Sequence, residues 1–444
     1  MGIQDQLINL KLAVMGSEGL SSERFRRLSK EGIWILFGEG MAVLGALFGV
    51  RLMTHIISPS VYGELALGMT VATLLNQTLF GPLEHGTTRF FAPALEQHKL
   101  ASYFKAVRRL ALWAAGTVVL LIPILAGVLQ MSGRKEWTSI AIAAAIFSIV
   151  SGYNSILSGF QLAARQRSIV ALHQAMASWG RFLVAAGLLL CFARTSTAAM
   201  VGYVIALVFV CGSQYIFLQK LIPSTLTEAN ESSVWLHKIT KYAWPGAAWG
   251  IFTWAQQSSD RWALGVFANK HDVGLYAVLF QLGYYPTALA TGLIVQLLAP
   301  IFYQRAGDGT DRKRNASVAK LGWQLTGLAM GVTGVLCVGA ELFNKQIFRI
   351  LVAKEYAAVA YLLPGVILAG GLFAAGQTIA LNLVSRMKTQ EMIPAKIWTA
   401  LFGVVLNFAG AYWYGAPGIV CSGVVFSVTY FLWMFRLATV IGSD

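Results

Sequence analysis

The chain has 444 residues, 57% of them hydrophobic and 12% charged. A soluble domain carries about 25% charged residues, so this composition excludes an ordinary water-soluble globular protein. The formal net charge of +15 does not mark a nucleic-acid binder, because the bases are scattered between apolar runs, the pattern that membrane orientation produces.

The apolar runs approach 20 residues, long enough to cross a bilayer as helices. Hydrocarbon obliges the backbone to satisfy its own hydrogen bonds. Continuous runs, rather than the roughly 10-residue alternating segments of a barrel, predict an all-α polytopic membrane protein of about twelve transmembrane helices. A polar segment, 1–32, comes first. The run 33–57 is too long and too far from the start for a cleaved signal peptide and reads as the first permanent span. The next five are expected at 64–87, 108–130, 138–163, 169–193 and 197–219. After a basic connection, 221–241, six more follow at 242–267, 273–302, 319–340, 358–384, 394–413 and 418–440. The longest connection on the outer side is expected at 341–357, too short for a soluble domain.

The bases test this count. Of 34 lysines and arginines, 24 fall in one set of alternating connections and 7 in the other. The bias predicts that both termini are cytoplasmic. A faint internal repeat accompanies it. Gly63-Glu64-Leu65-Ala66-Leu67 opens span two and Gly274-Leu275-Tyr276-Ala277-Val278 opens span eight, 211 positions later. Six spans followed by six in the same orientation imply a parallel pseudo-repeat about the membrane normal. The expected organisation is an N-lobe at 33–220, the inter-lobe connection at 221–241 and a C-lobe at 242–444.

Charged groups inside spans are costly and point to function. By estimated depth, Glu39 lies in the cytoplasmic third of span one, and Glu84, His85 and Arg89 at the cytoplasmic end of span two. Arg181 is near the middle of span five. Arg51, Asp260 and Arg261 lie toward the outer third of spans one and seven. Arg89, Arg181, and Arg51 with Arg261 therefore fall at three successive depths. Facing one cavity, they would make a staggered cationic path suited to a phosphate or diphosphate, which guanidinium groups bind bidentately. The competing reading is that each arginine snorkels or pairs with a carboxylate on another helix. Asp260 and Arg261, adjacent on a helix, point about 100° apart and are not expected to pair neatly. With Gln256 and Gln257 they give span seven a wide polar surface, either a wet, substrate-touching face or an inter-helix packing lock. Trp249, Trp254 and Trp262 on the same span suit sugar rings or, equally, an interfacial belt. Glu39 and Glu84 are candidates for ion or proton coupling, unless they neutralise nearby arginines. Pro245, Pro286, Pro364 and Pro394 are candidate hinges. Cys191, Cys211, Cys337 and Cys421 lack metal spacing and read as small buried hydrophobes. No nucleotide loop, zinc pattern or catalytic triad appears, so neither an enzyme nor a cofactor is expected.

The run Gly49-Val50-Arg51-Leu52 through Ile57-Ser58-Pro59-Ser60-Val61-Tyr62-Gly63-Glu64-Leu65-Ala66-Leu67 resembles the opening of Wzx-type polysaccharide flippases of the MOP exporter superfamily. Phe80-Gly81-Pro82-Leu83-Glu84-His85-Gly86-Thr87-Thr88-Arg89-Phe90 resembles the end of that family's second span, with Pro82 and His85 as departures. Asp260-Arg261 with Val273-Gly274-Leu275-Tyr276-Ala277 resembles its seventh and eighth spans. The resemblance implies a two-lobed bundle around a central, cationic cavity. It also implies alternating access that moves an oligosaccharide linked to a polyprenyl diphosphate, typically undecaprenyl diphosphate, across the cytoplasmic membrane for surface polysaccharide or O-antigen assembly. Membrane lipids and a polysaccharide polymerase or export machinery would be its partners. Two rivals stand beside it. An ion-coupled small-molecule exporter of the multidrug type would want an acid-lined cavity, and a glycan polymerase or ligase would want a substantial outer loop.

Overall fold

The computed structural model describes residues 21–219, 232–306, 311–386 and 388–443. Residues 1–20 of the expected N-terminal segment and 221–231 of the expected inter-lobe connection lie outside these. Each predicted span falls on helix, and among the described residues there is no strand.

Helix α1 runs Ser21–Ile56 and α2 Pro59–Leu75. A five-residue π-helical segment, Asn76–Phe80, joins α2 to α3 (Gly81–Glu96), so the second span is continuous but carries a bulge. Then come α4 (Leu100–Met131), α5 (Thr138–Ala163), α6 (Arg167–Cys191) and α7 (Ser196–Gln219). They are followed by α8 (Ser232–Phe267), α9 (Lys270–Ala306), α10 (Arg312–Leu351), α11 (Leu363–Ser385) and the stretch α12 (Thr389–Ser443). The last holds two spans, because Gly415 takes φ 60° and ψ −133° and breaks the helix. Glycine adopts that conformation without Cβ strain.

Among the described residues, eight helical segments are long and apolar enough to cross a membrane, the last covering both spans of α12. The chain is a multi-pass membrane protein. Three predicted spans, on α2–α3, α8 and α9, are not among these segments; the π segment divides the first of them into helices of 17 and 16 residues. The first carries Glu84, and the second Asp260 and Arg261. The expected outer connection 341–357 is not a loop. Helix α10 continues to Leu351 and a 3₁₀ segment spans Lys354–Leu362. Backbone hydrogen bonding favours helix even after the apolar run ends. Pro364 sits in the first turn of α11, where its missing N–H costs nothing, and not in mid-helix as a hinge would.

The chain divides into two compact units. The first comprises Met1–Ala42, Gly68–Ala193 and Thr197–Ile251. Its core gathers Phe80, Phe91, Tyr103, Ile156, Phe160, Trp235 and Ile239. The rings of Phe91, Phe160 and Trp235 meet the Tyr103 ring edge-on, and the Tyr103 hydroxyl donates to the Thr87 carbonyl. Polar residues also join helices here. Asn154 on α5 donates to Gln214 Oε1 on α7 at 2.9 Å, Gln214 donates to Ser158 at 3.0 Å, and His173 Nε2 on α6 meets Ser213 Oγ at 2.9 Å. Such bonds are the glue of membrane helices, which accounts for several of the polar residues within the spans.

The second unit comprises Val43–Leu67, Arg194–Ser196 and Phe252–Asp444. Helix α11 is its hub, with glycines where neighbours press closest. A Cβ on Gly371 would meet Thr333 Oγ1 at 2.1 Å, and one on Gly376 the Tyr430 ring at 2.7 Å. The cysteines depart from expectation: Cys191 and Cys421 are exposed. An apolar thiol is as content against lipid as in a core.

Candidate functional site

In the first unit, Arg181 projects from the middle of α6 and is partly buried. Its Cζ lies 4.6 Å from the Phe182 ring centroid, and Tyr203 on α7 is within its electrostatic reach. Its Nε is buried and has no hydrogen-bond partner, and no carboxylate among the described residues forms an ion pair with it. A cation–π contact returns about 0.5–2 kcal/mol, against about 2.5–3.5 kcal/mol for a charge at the centre of a membrane helix. The guanidinium is thus held in place with hydrogen-bonding capacity to spare.

The same unit holds Glu39, Glu84 and Arg89. Glu39 is half-buried on α1 and its Oε2 is buried without a partner. Glu84 is half-buried in the first turn of α3, while Arg89 is exposed on that helix. Neither carboxylate forms an ion pair among the described residues, so they do not act as arginine neutralisers there. Just before α3, the π segment changes what its helix presents. Asn76 Nδ2 donates to Ala72 O at 3.0 Å and to Ser151 Oγ at 2.8 Å, while its Oδ1 is buried without a partner. A Cβ on Gly250 of α8 would lie 2.1 Å from Gln77 O. Glycine is required for that approach. Such bulges concentrate at functional sites, and nothing in the run NQTLF announces one.

In the second unit, the polar stretch of α8 is ordered around Asp260, which is only 6% exposed. Its Oδ2 accepts from the Tyr276 hydroxyl at 2.9 Å and its Oδ1 from the Arg261 backbone N–H at 2.7 Å. Contrary to expectation, Arg261 Nη1 also comes within 3.6 Å of Asp260 Oδ1. The long side chain folds back, donating to Gln257 O at 3.1 Å, and covers the divergence of the two Cβ directions. Its guanidinium caps the Phe280 ring at 4.5 Å, which stacks on Tyr284 at 4.6 Å and 16°. Gln256 is half-buried and Gln257 exposed, whereas Ser259 is buried and accepts from Asn407 Nδ2 at 2.9 Å. This face of α8 is therefore largely an inter-helix network with Gln257 at its open edge.

Arg51 has a different setting. Its Nη1 donates to the carbonyls of Arg349 at 3.0 Å and Val352 at 3.1 Å, at the end of α10. Those carbonyls lack intrahelical partners, and a cation at a helix C-terminus is favourable. Close by, Ala353 N donates to Thr54 Oγ1 at 3.2 Å and Tyr356 Oη to Ile57 O at 2.8 Å. Arg51 is thus a helix cap.

A further feature of this unit went unpredicted. The starts of α2 and α9 cross reciprocally. A Cβ on Gly63 would lie 1.9 Å from Lys270 O, and a Cβ on Gly274 would lie 1.9 Å from Pro59 O. Pro59 and Lys270, like Gly63 and Gly274, are 211 positions apart. Tyr62 N donates to Ser58 O at 3.0 Å and Val273 N to Asn269 O at 3.2 Å, at the same offset. Beside the crossing, Glu64 accepts from Lys270 Nζ at 2.7 Å and from Ser196 at 2.9 Å, and Tyr62 donates to Gln281 at 2.8 Å. The repeat offset was the available signal; the ion pair had none, because Lys270 lies in a connection.

Among the described residues, no group of three His, Cys, Asp or Glu side chains is placed to hold a metal ion. No family model matches the sequence, and no curated protein matches it. Solved structures do match in fold. The lipid II flippase MurJ, in an inward closed conformation, gives a TM-score of 0.71 at 11% identity, over 92% of this chain and 87% of that one. A multidrug resistance MATE family transporter of the MOP superfamily, outward-facing, gives 0.62 at 13% identity, over 94% and 96%. A MOP superfamily transporter from Pyrococcus furiosus gives 0.57 at 13%, over 93% and 95%. The chain therefore has the fold of the MOP superfamily transporters.

Proposed function

We propose that this chain is a flippase that moves a polyprenyl-diphosphate-linked oligosaccharide across the cytoplasmic membrane by alternating access, for assembly of a surface polysaccharide. The observation that carries the reading is Arg181, a mid-helix guanidinium with a buried, unpartnered Nε and, among the described residues, no carboxylate mate. A cation kept unpaired at that depth suits a phosphate-bearing passenger, and the fork geometry of arginine suits a diphosphate. The likeness in fold to a lipid II flippase supports a lipid-linked passenger. Arg89, exposed on α3, and Arg261, with Gln256 and Gln257 at the open edge of α8, are the further contacts we assign to the passenger. Glu39 and Glu84, without arginine partners among the described residues, are the coupling candidates. The base distribution supports cytoplasmic termini, and the reciprocal crossing at offset 211 supports a parallel repeat of two six-helix lobes. A polymerase or export machinery would receive the product.

The test is export in a deletion strain complemented with variants. Arg181→Ala abolishes surface polysaccharide while protein level is unchanged, and Arg181→Lys, a point charge without the fork, restores part of it. Normal polysaccharide with Arg181→Ala refutes the assignment. Drug sensitivity in the deletion strain, with polysaccharide intact, would identify a small-molecule exporter instead.

A further inference from the structure

The outer face of α10 carries a second feature. Ala316, Ala319, Lys320, Trp323 and Gln324 of α10, with Ala438 and Thr439 of α12, line a cavity of about 820 Å³. The α10 positions follow steps of three and four, so they share one helix face. Continuing those steps along the same face gives Gly327, Gly331 and Gly334, all exposed, and a Cβ on any of them would meet nothing within 4 Å. The opposite face is the packed one. Gly322 presses on Asn382, Thr326 bonds to Thr378 at 2.8 Å, and Gly371 presses on Thr333. The result is a trench that begins at a cation and carries no side chain at Gly327, Gly331 and Gly334. Its glycine floor, Gly327 to Gly334, runs about 10 Å at 1.5 Å per residue, a large part of the roughly 15 Å of one leaflet's hydrocarbon. Leu328 and Val335, 61% and 73% exposed, stand along one side. Trp323 packs edge-on against Phe435 at 5.1 Å.

We propose that this trench binds an anionic phospholipid, its phosphate held by Lys320 with Gln324 and Thr439, and one acyl chain laid over Gly327, Gly331 and Gly334. The charge is complementary, since among the described residues no acidic side chain lines the cavity. A lysine stem can lie along apolar surface while its ammonium reaches the headgroup. A smooth glycine groove takes a chain that a leucine-rich, lipid-facing helix would exclude. The inference requires only that the chain lies in a membrane and is independent of the passenger.

The experiment is native mass spectrometry of the delipidated full chain, titrated separately with phosphatidylglycerol, phosphatidylcholine and inorganic phosphate. Phosphatidylglycerol binds about tenfold more tightly than phosphatidylcholine, a difference of about 1.4 kcal/mol. Lys320→Ala abolishes that preference. Gly331→Leu weakens the lipid but not inorganic phosphate, and Gly331→Ala, which favours helix, serves if the leucine variant does not fold. Equal binding of both lipids, or a preference that survives Lys320→Ala, overturns the proposal. Full competition by inorganic phosphate with no effect of the Gly331 variants overturns it in favour of a soluble-anion site.

Discussion

Replacing Gly63 with alanine tests the reciprocal crossing of α2 and α9. The added Cβ would sit 1.9 Å from Lys270 O, whereas non-bonded atoms settle near 3.5 Å. The helix starts must therefore part by roughly 1.5 Å or distort. Overpacking of this kind costs about 1–3 kcal/mol. The same movement stretches the Lys270–Glu64 pair from 2.7 Å, and because its side chains are 32% and 29% exposed, that loss adds no more than about 1 kcal/mol. The net expectation is a destabilisation of about 1–4 kcal/mol for Gly63→Ala and likewise for Gly274→Ala. Both act on one seam, so the double variant costs less than the sum of the singles. Gly116→Ala is the control. Its Cβ meets nothing within 4 Å, so it is neutral or stabilises by up to about 1 kcal/mol. Thermal and denaturant unfolding of the purified chain in detergent reads all four. Single variants as stable as the parent, or a strictly additive pair, would refute the crossing.

Arg51→Ala strands two carbonyls at the end of α10 and should cost about 1–3 kcal/mol in unfolding measurements, with export falling only as far as protein level falls. Asp260→Ala leaves the buried Tyr276 hydroxyl without its acceptor and should cost a similar amount, whereas Asp260→Asn, which keeps an acceptor oxygen, should recover most of it. Glu39→Gln and Glu84→Gln should leave folding intact. If either carries the coupling, export falls with that variant, and normal export with both removes them from the mechanism.

The spans were readable because run length answers to bilayer thickness and helix is the economical way to bury backbone in hydrocarbon. All twelve fell on helix. What the apolar count could not see is where helix outlasts hydrophobicity. Arg349 lies in a stretch that reads as a connection but forms the last turn of α10, and that turn supplies the carbonyls which Arg51 caps. Depth alone had grouped Arg51 with Arg181. Their surroundings separate only through hydrogen-bond partners, one satisfied by backbone and the other not. The pairing of Asp260 with Arg261 escaped for a related reason, since Cβ directions do not limit a side chain as long as arginine. The 211-residue offset, resting on two identities, turned out to bring Gly63 against Gly274. The π segment left no trace, because a single extra residue per turn needs no special composition.

The central claim is movement of a lipid-diphosphate oligosaccharide, and the most direct measurement is flipping by the purified chain in liposomes, read with a membrane-impermeant probe of outer-leaflet exposure. The account predicts protein-dependent exposure of the glycan that is lost with Arg181→Ala and retained with Gly116→Ala. Folded protein that leaves its native lipid-linked glycan in one leaflet, or an Arg181→Ala variant that flips at the parental rate, would contradict it.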